Sequence, residues 1–235
     1  MSYSFENYWK NIYQKRTKFN YEIQSIQSKE IVNWHKKYIQ NYIHTQFTEY
    51  KPKVLDIGCC SGYLTNLFCD FSSEVVGIDY EEGFIVDAKL KYPRPKFLTG
   101  DIYNLNKIDG TFDLVVCFGV LQNISDLLAV LKNVKSKLSN RVNSKIIFTT
   151  INENSIFNGN SLVRKITHPN DKQEFNLNLF DKKKFEKFSQ LSGLKLTQYK
   201  YMYVLPRFLA PLSLIAKLLL PSSFSHHVFI ELKHA

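Results

Sequence analysis

The chain has 235 residues, of which 44% are hydrophobic and 14% aromatic, and this content excludes a disordered protein. Its length suits one domain with a sizeable core. The net charge of +10 falls in the flanks, because residues 51–150 are nearly neutral. An anionic partner and a solvated lysine-rich surface both fit this distribution.

The cysteines and the first residues of the chain indicate a cellular compartment. The four cysteines are Cys59, Cys60, Cys69 and Cys117, and they form neither a disulfide framework nor a C-x-x-C zinc motif. The opening MSYSFENYWKNIYQKR contains no apolar signal core. The sequence therefore predicts a cytoplasmic protein without a metal site.

Residues 1–50 are predicted to form an N-terminal helical lid. Within them, residues 30–43 carry a large apolar side chain at every third or fourth position, which predicts an amphipathic helix. These side chains are Ile31, Trp34, Tyr38 and Tyr42. The rings before this helix, including Trp9 and Tyr13, are interpreted as a substrate-side wall, with plain packing on the core as the alternative.

Residues 51–150 alternate short apolar runs with helical patterns. The runs are KVLDIG, EVVGID, KFLTGD, FDLVVCFG and SKIIFTT. One intervening helix is marked by Leu64, Leu67 and Phe68, and another by Leu127, Leu131, Val134 and Leu138. Continuous apolar strands separated by helices predict a doubly wound α/β domain, with a mostly parallel sheet covered on both faces.

Residues 151–235 are predicted to close the sheet and to lie on the substrate side. Asp181 and Gly193 predict the start and stop of a helix. LKLTQYKYMYV and HHVFIEL then predict an antiparallel pair that brings the sheet to seven strands. The apolar segment 205–221 contains three prolines, Arg207 and Lys217, so it is a poor bilayer span. A helical lid, a peripheral membrane contact and core packing all remain open for it.

Carboxylates follow three of the predicted strands. In a doubly wound sheet, ligands bind outside the carboxyl ends of the strands, where Asp56, Asp79 and Asp101 are expected to converge. Gly58 and Gly62 allow a tight turn and a close approach of a ligand to the backbone. The turn leads into a helix start, which favours an anionic group.

Asp79 indicates a nucleoside, because an acid at the end of the second strand accepts hydrogen bonds from ribose hydroxyls. The dinucleotide fingerprint G-x-G-x-x-G is absent, since Cys60 and Tyr63 occupy its second and third glycine positions. No phosphate loop of the form G-x-x-x-x-G-K-[ST] occurs either.

The run from Asp56 to Gly62 resembles the first motif, D/E-x-G-x-G-x-G, of the class I S-adenosylmethionine-dependent methyltransferases. Asp79, GDI at 100–102 and FDLVVCFGVLQNI resemble the later motifs, so the resemblance covers about residues 50–150. It implies a Rossmann-like methyltransferase fold and S-adenosylmethionine as cofactor. The implied cofactor-binding residues are Asp56, Gly58, Cys59, Cys60, Gly62, Asp79, Tyr80, Gly100, Asp101, Ile102 and Phe118.

By this resemblance, Asp56 and the turn would hold the methionine part, Asp79 the ribose, and Asp101 with the Ile102 N–H the adenine. Cys60 replaces the family's middle glycine, and we expect a slightly displaced turn and lower affinity.

The resemblance does not specify the acceptor. A small molecule is preferred, most of all a hydroxyl of a glycan, lipid-linked or aromatic metabolite, and an anionic acceptor would use the basic flanks. RNA methylation and a non-catalytic S-adenosylmethionine-binding protein are the alternatives. His168 is the candidate general base, although an exposed loop histidine is the commoner role. Gln122 is the candidate for orienting the acceptor. Cys117 is read as a buried apolar residue.

Overall fold

The computed structural model describes residues 10, 13–14, 29–155, 178–202, 221, 225 and 227–235. His168, Trp9 and the apolar segment 205–221, apart from Pro221, lie outside the described residues. The predictions made for them therefore stay predictions.

The described elements alternate as the sequence predicts. They are α1 (Lys29–Gln46), β1 (Lys53–Ile57), α2 (Tyr63–Phe68), β2 (Glu74–Asp79), α3 (Glu82–Lys91), β3 (Lys96–Thr99), β4 (Leu114–Phe118), a short 3-10 helix (Leu121–Asn123), α4 (Leu127–Ser136), β5 (Lys145–Ile151), α5 (Lys182–Leu191), β6 (Leu194–Met202) and β7 (His227–His234).

The seven strands form one sheet in the order β3-β2-β1-β4-β5-β7-β6. The pairs among β1 to β5 are all parallel, whereas β7 runs antiparallel to both β5 and β6. This arrangement confirms the predicted mostly parallel, seven-stranded, doubly wound sheet. The strand order reverses between the neighbouring strands β1 and β4. A crevice for ligands opens at this point in such a sheet.

Helices cover both faces of the sheet. Apolar residues of α4 and α5 pack with the strands in one large cluster, and Ile39 and Ile43 of α1 pack on the other face with Phe68 of α2. The four-residue interiors of β1 and β4 are buried on both sides, which explains their continuous apolar sequence.

The predicted boundaries of α5 are confirmed. Its N-cap Asp181 accepts a hydrogen bond from the Lys184 N–H over 2.6 Å, and the helix ends just before Gly193, which has φ +70°. Helix α3 was not predicted. Its buried residues are only Phe84, Ile85 and Ala88, too narrow a stripe to stand out in the sequence.

A buried charge fastens α1 to the antiparallel part of the sheet. Glu231 of β7 is buried and accepts hydrogen bonds from the Tyr42 hydroxyl at 2.7 Å and the Thr197 hydroxyl at 2.6 Å. Lys145 forms an ion pair with it at 3.4 Å. Burial, and next the charge of Glu231, raises the pKa of Tyr42, so this hydroxyl stays protonated and donates.

We expect the substitution Tyr42→Phe to lower the free energy of unfolding by about 1–3 kcal/mol, because it removes a donor from a buried carboxylate. Chemical denaturation measures the effect. Tyr92→Phe is the matched control, since the described residues make no hydrogen bond to the Tyr92 hydroxyl. Equal stabilities of the two variants would contradict this account of how α1 is held.

Candidate functional site

The chain leaves β1 through a turn with three positive φ angles at alternate residues. Gly58 has φ +78°, Cys60 +46° and Gly62 +81°. The N–H groups of Gly58 and Cys59 both donate to the carbonyl of Ile78, over 2.8 and 2.9 Å. The predicted glycine turn is thus confirmed, and it is fastened directly to the end of β2.

At two glycines of this turn, neighbouring side chains occupy the space that a Cβ would need. A Cβ on Gly58 would collide with Cγ2 of Val120, which follows β4. A Cβ on Gly62 would lie 2.5 Å from Cζ of Phe97. Positive φ and close packing therefore both require glycine at these two positions.

Cys60 is the residue at which this turn departs from the family motif. A left-handed conformation costs a non-glycine residue about 1–2 kcal/mol. The Cys60 N–H donates to Oδ2 of Asp79 over 2.9 Å, which offsets part of that cost. All four cysteines are free thiols, and Cys117 is fully buried in β4 as predicted.

Asp79 joins the turn to the start of α3. Its Oδ2 accepts from Cys60 and its Oδ1 accepts from the Glu81 N–H over 3.0 Å. Burial raises the pKa of Asp79 to about 6, although the hydrogen bonds from Glu81 and Cys60 oppose that shift. Each carboxylate oxygen retains lone pairs for a further donor.

Asp56 lies at the end of β1 and is almost fully buried. Its Oδ2 accepts from the Thr65 hydroxyl over 2.6 Å. Burial raises the pKa of Asp56 to about 7; the Thr65 hydrogen bond opposes the shift and the charge of Asp79 adds to it. Within the described part of the chain its Oδ1 makes no hydrogen bond, so that oxygen remains available to a positively charged ligand group.

Asp101, in contrast, is exposed. Its Oδ1 accepts from the Tyr103 N–H over 2.9 Å, and the Tyr103 hydroxyl accepts from the Ser125 N–H over 2.7 Å. Ile102 between them is buried. Tyr103 therefore ties the loop after β3 to the loop before α4 and fixes the outer edge of the site.

The site continues beyond β4. The Gln122 side-chain amide donates to the Gly119 carbonyl over 2.6 Å, so its nitrogen already serves to hold the loop. Thr149 of β5 lies in register between Phe118 and Phe229. Its hydroxyl is fully buried and has no hydrogen-bond partner within the described residues. A buried hydroxyl without a partner is costly and marks a place where a ligand could bind.

The structure brings most of the predicted cofactor residues to one edge of the sheet. Tyr80 and Gly100 stand at the ends of β2 and β3, and Phe118 is half-buried at the end of β4. Their roles toward a ligand stay predictions. Tyr13 lies against Gly83 and Phe84 of α3, which is on the side of Asp79.

Sequence reasoning missed Thr65 and Tyr103. Thr65 lies in the first turn of α2, and only the buried carboxylate that it contacts distinguishes it from an ordinary helical threonine. Tyr103 belongs to no recognisable motif. Among the described side chains, no group of three or more His, Cys, Asp or Glu is arranged to hold a metal ion.

Residues 55–141 match the family model described as a methyltransferase domain. The ubiquinone biosynthesis O-methyltransferase of Coxiella burnetii is 30% identical over 117 residues, which span 48% of this chain and 49% of that protein. The chain thus spans no more than about half the length of the curated relatives it matches first.

Solved structures share the fold over nearly the whole chain. Magnesium protoporphyrin IX methyltransferase from Synechocystis, with bound SAH, has a TM-score of 0.61 at 16% identity and covers 97% of this chain and 93% of its own. The N-methyltransferase NodS from Bradyrhizobium japonicum, in complex with S-adenosyl-L-homocysteine, has a TM-score of 0.60 at 13% identity, with 95% and 98% covered.

The chain therefore shares the fold of solved methyltransferases, and part of it matches a methyltransferase domain, in agreement with the sequence resemblance. No helix in the described part of the chain has both the length and the apolar character needed to cross a bilayer.

The raised pKa of Asp56 predicts how stability changes with pH. An unfolded aspartate releases its proton near pH 4, whereas folded Asp56 holds it to about pH 7. Its contribution to stability therefore falls as pH rises from about 4 to about 7. We expect Asp56→Asn to remove this loss and to be more stable than the wild type above pH 7 by on the order of 4 kcal/mol.

Denaturant titrations of both proteins at several pH values measure this difference, from which the titrating groups that do not interact with Asp56 cancel. The asparagine oxygen can still accept from Thr65, so the local hydrogen bond is preserved. A difference between variant and wild type that does not change with pH would show that Asp56 is not protonated in the folded protein.

Proposed function

We propose that the protein transfers a methyl group from S-adenosylmethionine to a small-molecule acceptor. The observation that carries the proposal is the buried carboxylate of Asp79, bound to the N–H groups of Cys60 and Glu81 at the carboxyl end of β2. This position beside a glycine turn suits a ribose, whose hydroxyls would donate to the remaining lone pairs.

The other parts of the cofactor suit the neighbouring groups. The free oxygen of Asp56 and the backbone of the turn from Gly58 to Gly62 would receive the methionine ammonium and carboxylate. Asp101 and the Ile102 N–H would bind the adenine at the outer edge of the site. The two relatives of known structure described above hold SAH, which supports the same cofactor here.

Bound S-adenosylmethionine would supply an already activated methyl group on a sulfonium. The residues of this chain then have to align the acceptor and exclude water. Phe118 and the turn around Gly58 would supply an apolar and a backbone surface beside that methyl group. A hydroxyl acceptor also requires a base, and His168 remains the candidate that the sequence proposes for this role.

The acceptor is proposed to be an aromatic or lipid-linked hydroxyl compound. At the end of β4 the half-buried ring of Phe118 lies beside the buried, unpartnered hydroxyl of Thr149, whereas Phe229 on the other side of Thr149 is buried against Tyr38 of α1. Such a surface suits the flat apolar face of a ring with one polar substituent. The relative from Coxiella burnetii is named for O-methylation in ubiquinone biosynthesis, which supports the same chemical class.

Cofactor binding is expected to depend on Asp79 and on pH. Asp79→Asn should weaken SAH binding at least tenfold, because it removes charge-assisted hydrogen bonds worth about 1.5–3 kcal/mol each. In the wild type, SAH should bind more tightly as pH rises from about 5 to about 7.5, since both carboxylates lose their protons over that range. Calorimetry measures both effects.

Asp109→Asn is the control for this measurement, because Asp109 is exposed and lies in the loop before β4. Thermal unfolding without ligand shows whether either variant is merely unfolded. If wild-type protein at millimolar SAH gives no heat and no thermal shift, the proposed function is wrong.

Transfer to the acceptor is expected to depend on Thr149. Incubation with methyl-labelled donor and a panel of catechols, hydroxybenzoates and polyprenyl phenols should label one or more of them. Thr149→Val should raise the KM for that acceptor severalfold, leave SAH affinity unchanged and leave the protein at least as stable, because valine has the same shape without the unpartnered hydroxyl.

The exposed Thr111→Val substitution is the matched control for Thr149. Label on total RNA instead of the small molecules would favour the basic flanks as an RNA surface and contradict the small-molecule proposal. SAH binding without transfer to either class would mean a non-catalytic binding protein.

A further inference from the structure

We infer that Tyr13 is a positioning residue of the donor site and that its ring packs on Gly83, a contact position that we call the seat. The inference rests on the proposed function, because it concerns the same site. Tyr13 belongs to the N-terminal segment, whereas Gly83 lies in the first turn of α3, four residues beyond Asp79. The contact between them would hold that segment against the wall of the site formed by the start of α3.

The ring of Tyr13 lies directly over the α-carbon of Gly83. A Cβ built on Gly83 would lie 2.8 Å from Cε2 of this ring and closer still to Cζ and Cε1. No side chain of any size therefore fits between the helix and the ring. The ring also meets Phe84 edge to face, with centroids 5.2 Å apart and planes at 86°, a favourable aromatic geometry.

Backbone conformation does not explain the glycine at position 83. Unlike Gly58 and Gly62, Gly83 does not have a positive φ, so any L-residue could adopt its backbone. Glycine in a helix costs up to about 1 kcal/mol relative to alanine. What glycine provides here is the space that the tyrosine ring occupies.

Hydrogen bonds link the seat to Asp79, the carboxylate proposed to bind the ribose. The Glu81 N–H donates to Asp79, and the Glu81 carbonyl accepts from the Phe84 N–H over 3.1 Å. Phe84 is itself buried, so the first turn of α3 cannot move away. A ring pressed on this turn covers the chain next to Asp79 and limits the access of water to the donor.

A seated ring should slow the release of the bound cofactor product. We expect Gly83→Ala to increase the dissociation rate of SAH about five- to twentyfold, measured by stopped-flow displacement, while the melting temperature stays the same or rises. Tyr13→Ala should have the same effect, and the double variant should add nothing, because both changes break one contact. Tyr13→Phe keeps the ring and should behave like the wild type.

Leu90→Ala is the control on the same helix, since Leu90 is 81% exposed and lies about two turns along α3 from this contact. A second measurement needs no cofactor. Trypsin should cut after Lys10 several times faster in Gly83→Ala than in Leu90→Ala or the wild type.

The results separate three cases. Unchanged trypsin cleavage in Gly83→Ala would show that the ring does not hold the segment. Faster cleavage with unchanged SAH release would show that the segment has no influence on the donor site. A wild-type protein that does not bind SAH would contradict the proposed function itself, and with it the role of Tyr13 toward the donor, whereas the cleavage data would still test the seat.

Discussion

The carboxylate of Asp79 is the group on which the rest of the site depends. Its two oxygens accept the N–H groups of Cys60 and Glu81, so a single side chain sets the distance between the turn after β1 and the start of α3. The hydrogen bonds from the Gly58 and Cys59 N–H groups to the Ile78 carbonyl add a second tie, which joins the turn to the end of β2.

The site lowers the free energy of unfolding of the protein. Two carboxylates, Asp56 and Asp79, are buried, and burial raises the pKa of both, while the charge of Asp79 raises that of Asp56 further. Cys60 is in addition held in a left-handed conformation. Each of these features opposes folding. The large apolar clusters on both faces of the sheet offset them. Strain of this kind concentrated at the ends of strands is typical of a binding site.

Much of this architecture could be predicted from the sequence. The strands are continuous apolar runs, and the aspartates at or just after their carboxyl ends are readily found once the runs have been located. The helix α3 was missed because only one narrow stripe of it is buried, around Phe84 and Ala88, and its second residue is a glycine. The glycine that hid the helix from sequence analysis is the one that the structure explains by a contact with Tyr13.

The finer geometry of the site could not be predicted. The hydrogen bond from Thr65 to Asp56 and the tie from Tyr103 to Ser125 join residues 9 and 22 positions apart, and no local pattern encodes such pairs. From the sequence alone, Asp56, Asp79 and Asp101 were also predicted to be three similar acids at one edge of the sheet. Burial distinguishes them, since the first two are enclosed and the third is exposed.

The position of β7 has a consequence for how the chain is made. In sequence this strand follows β6, yet in space it lies between β5 and β6. During synthesis β6 therefore leaves the ribosome with no strand to pair with, and β5 keeps an open edge until residues 227–234 arrive. A nascent chain of this protein exposes two unpaired strands for that interval, which is the state in which chaperones and wrong intermolecular pairing compete.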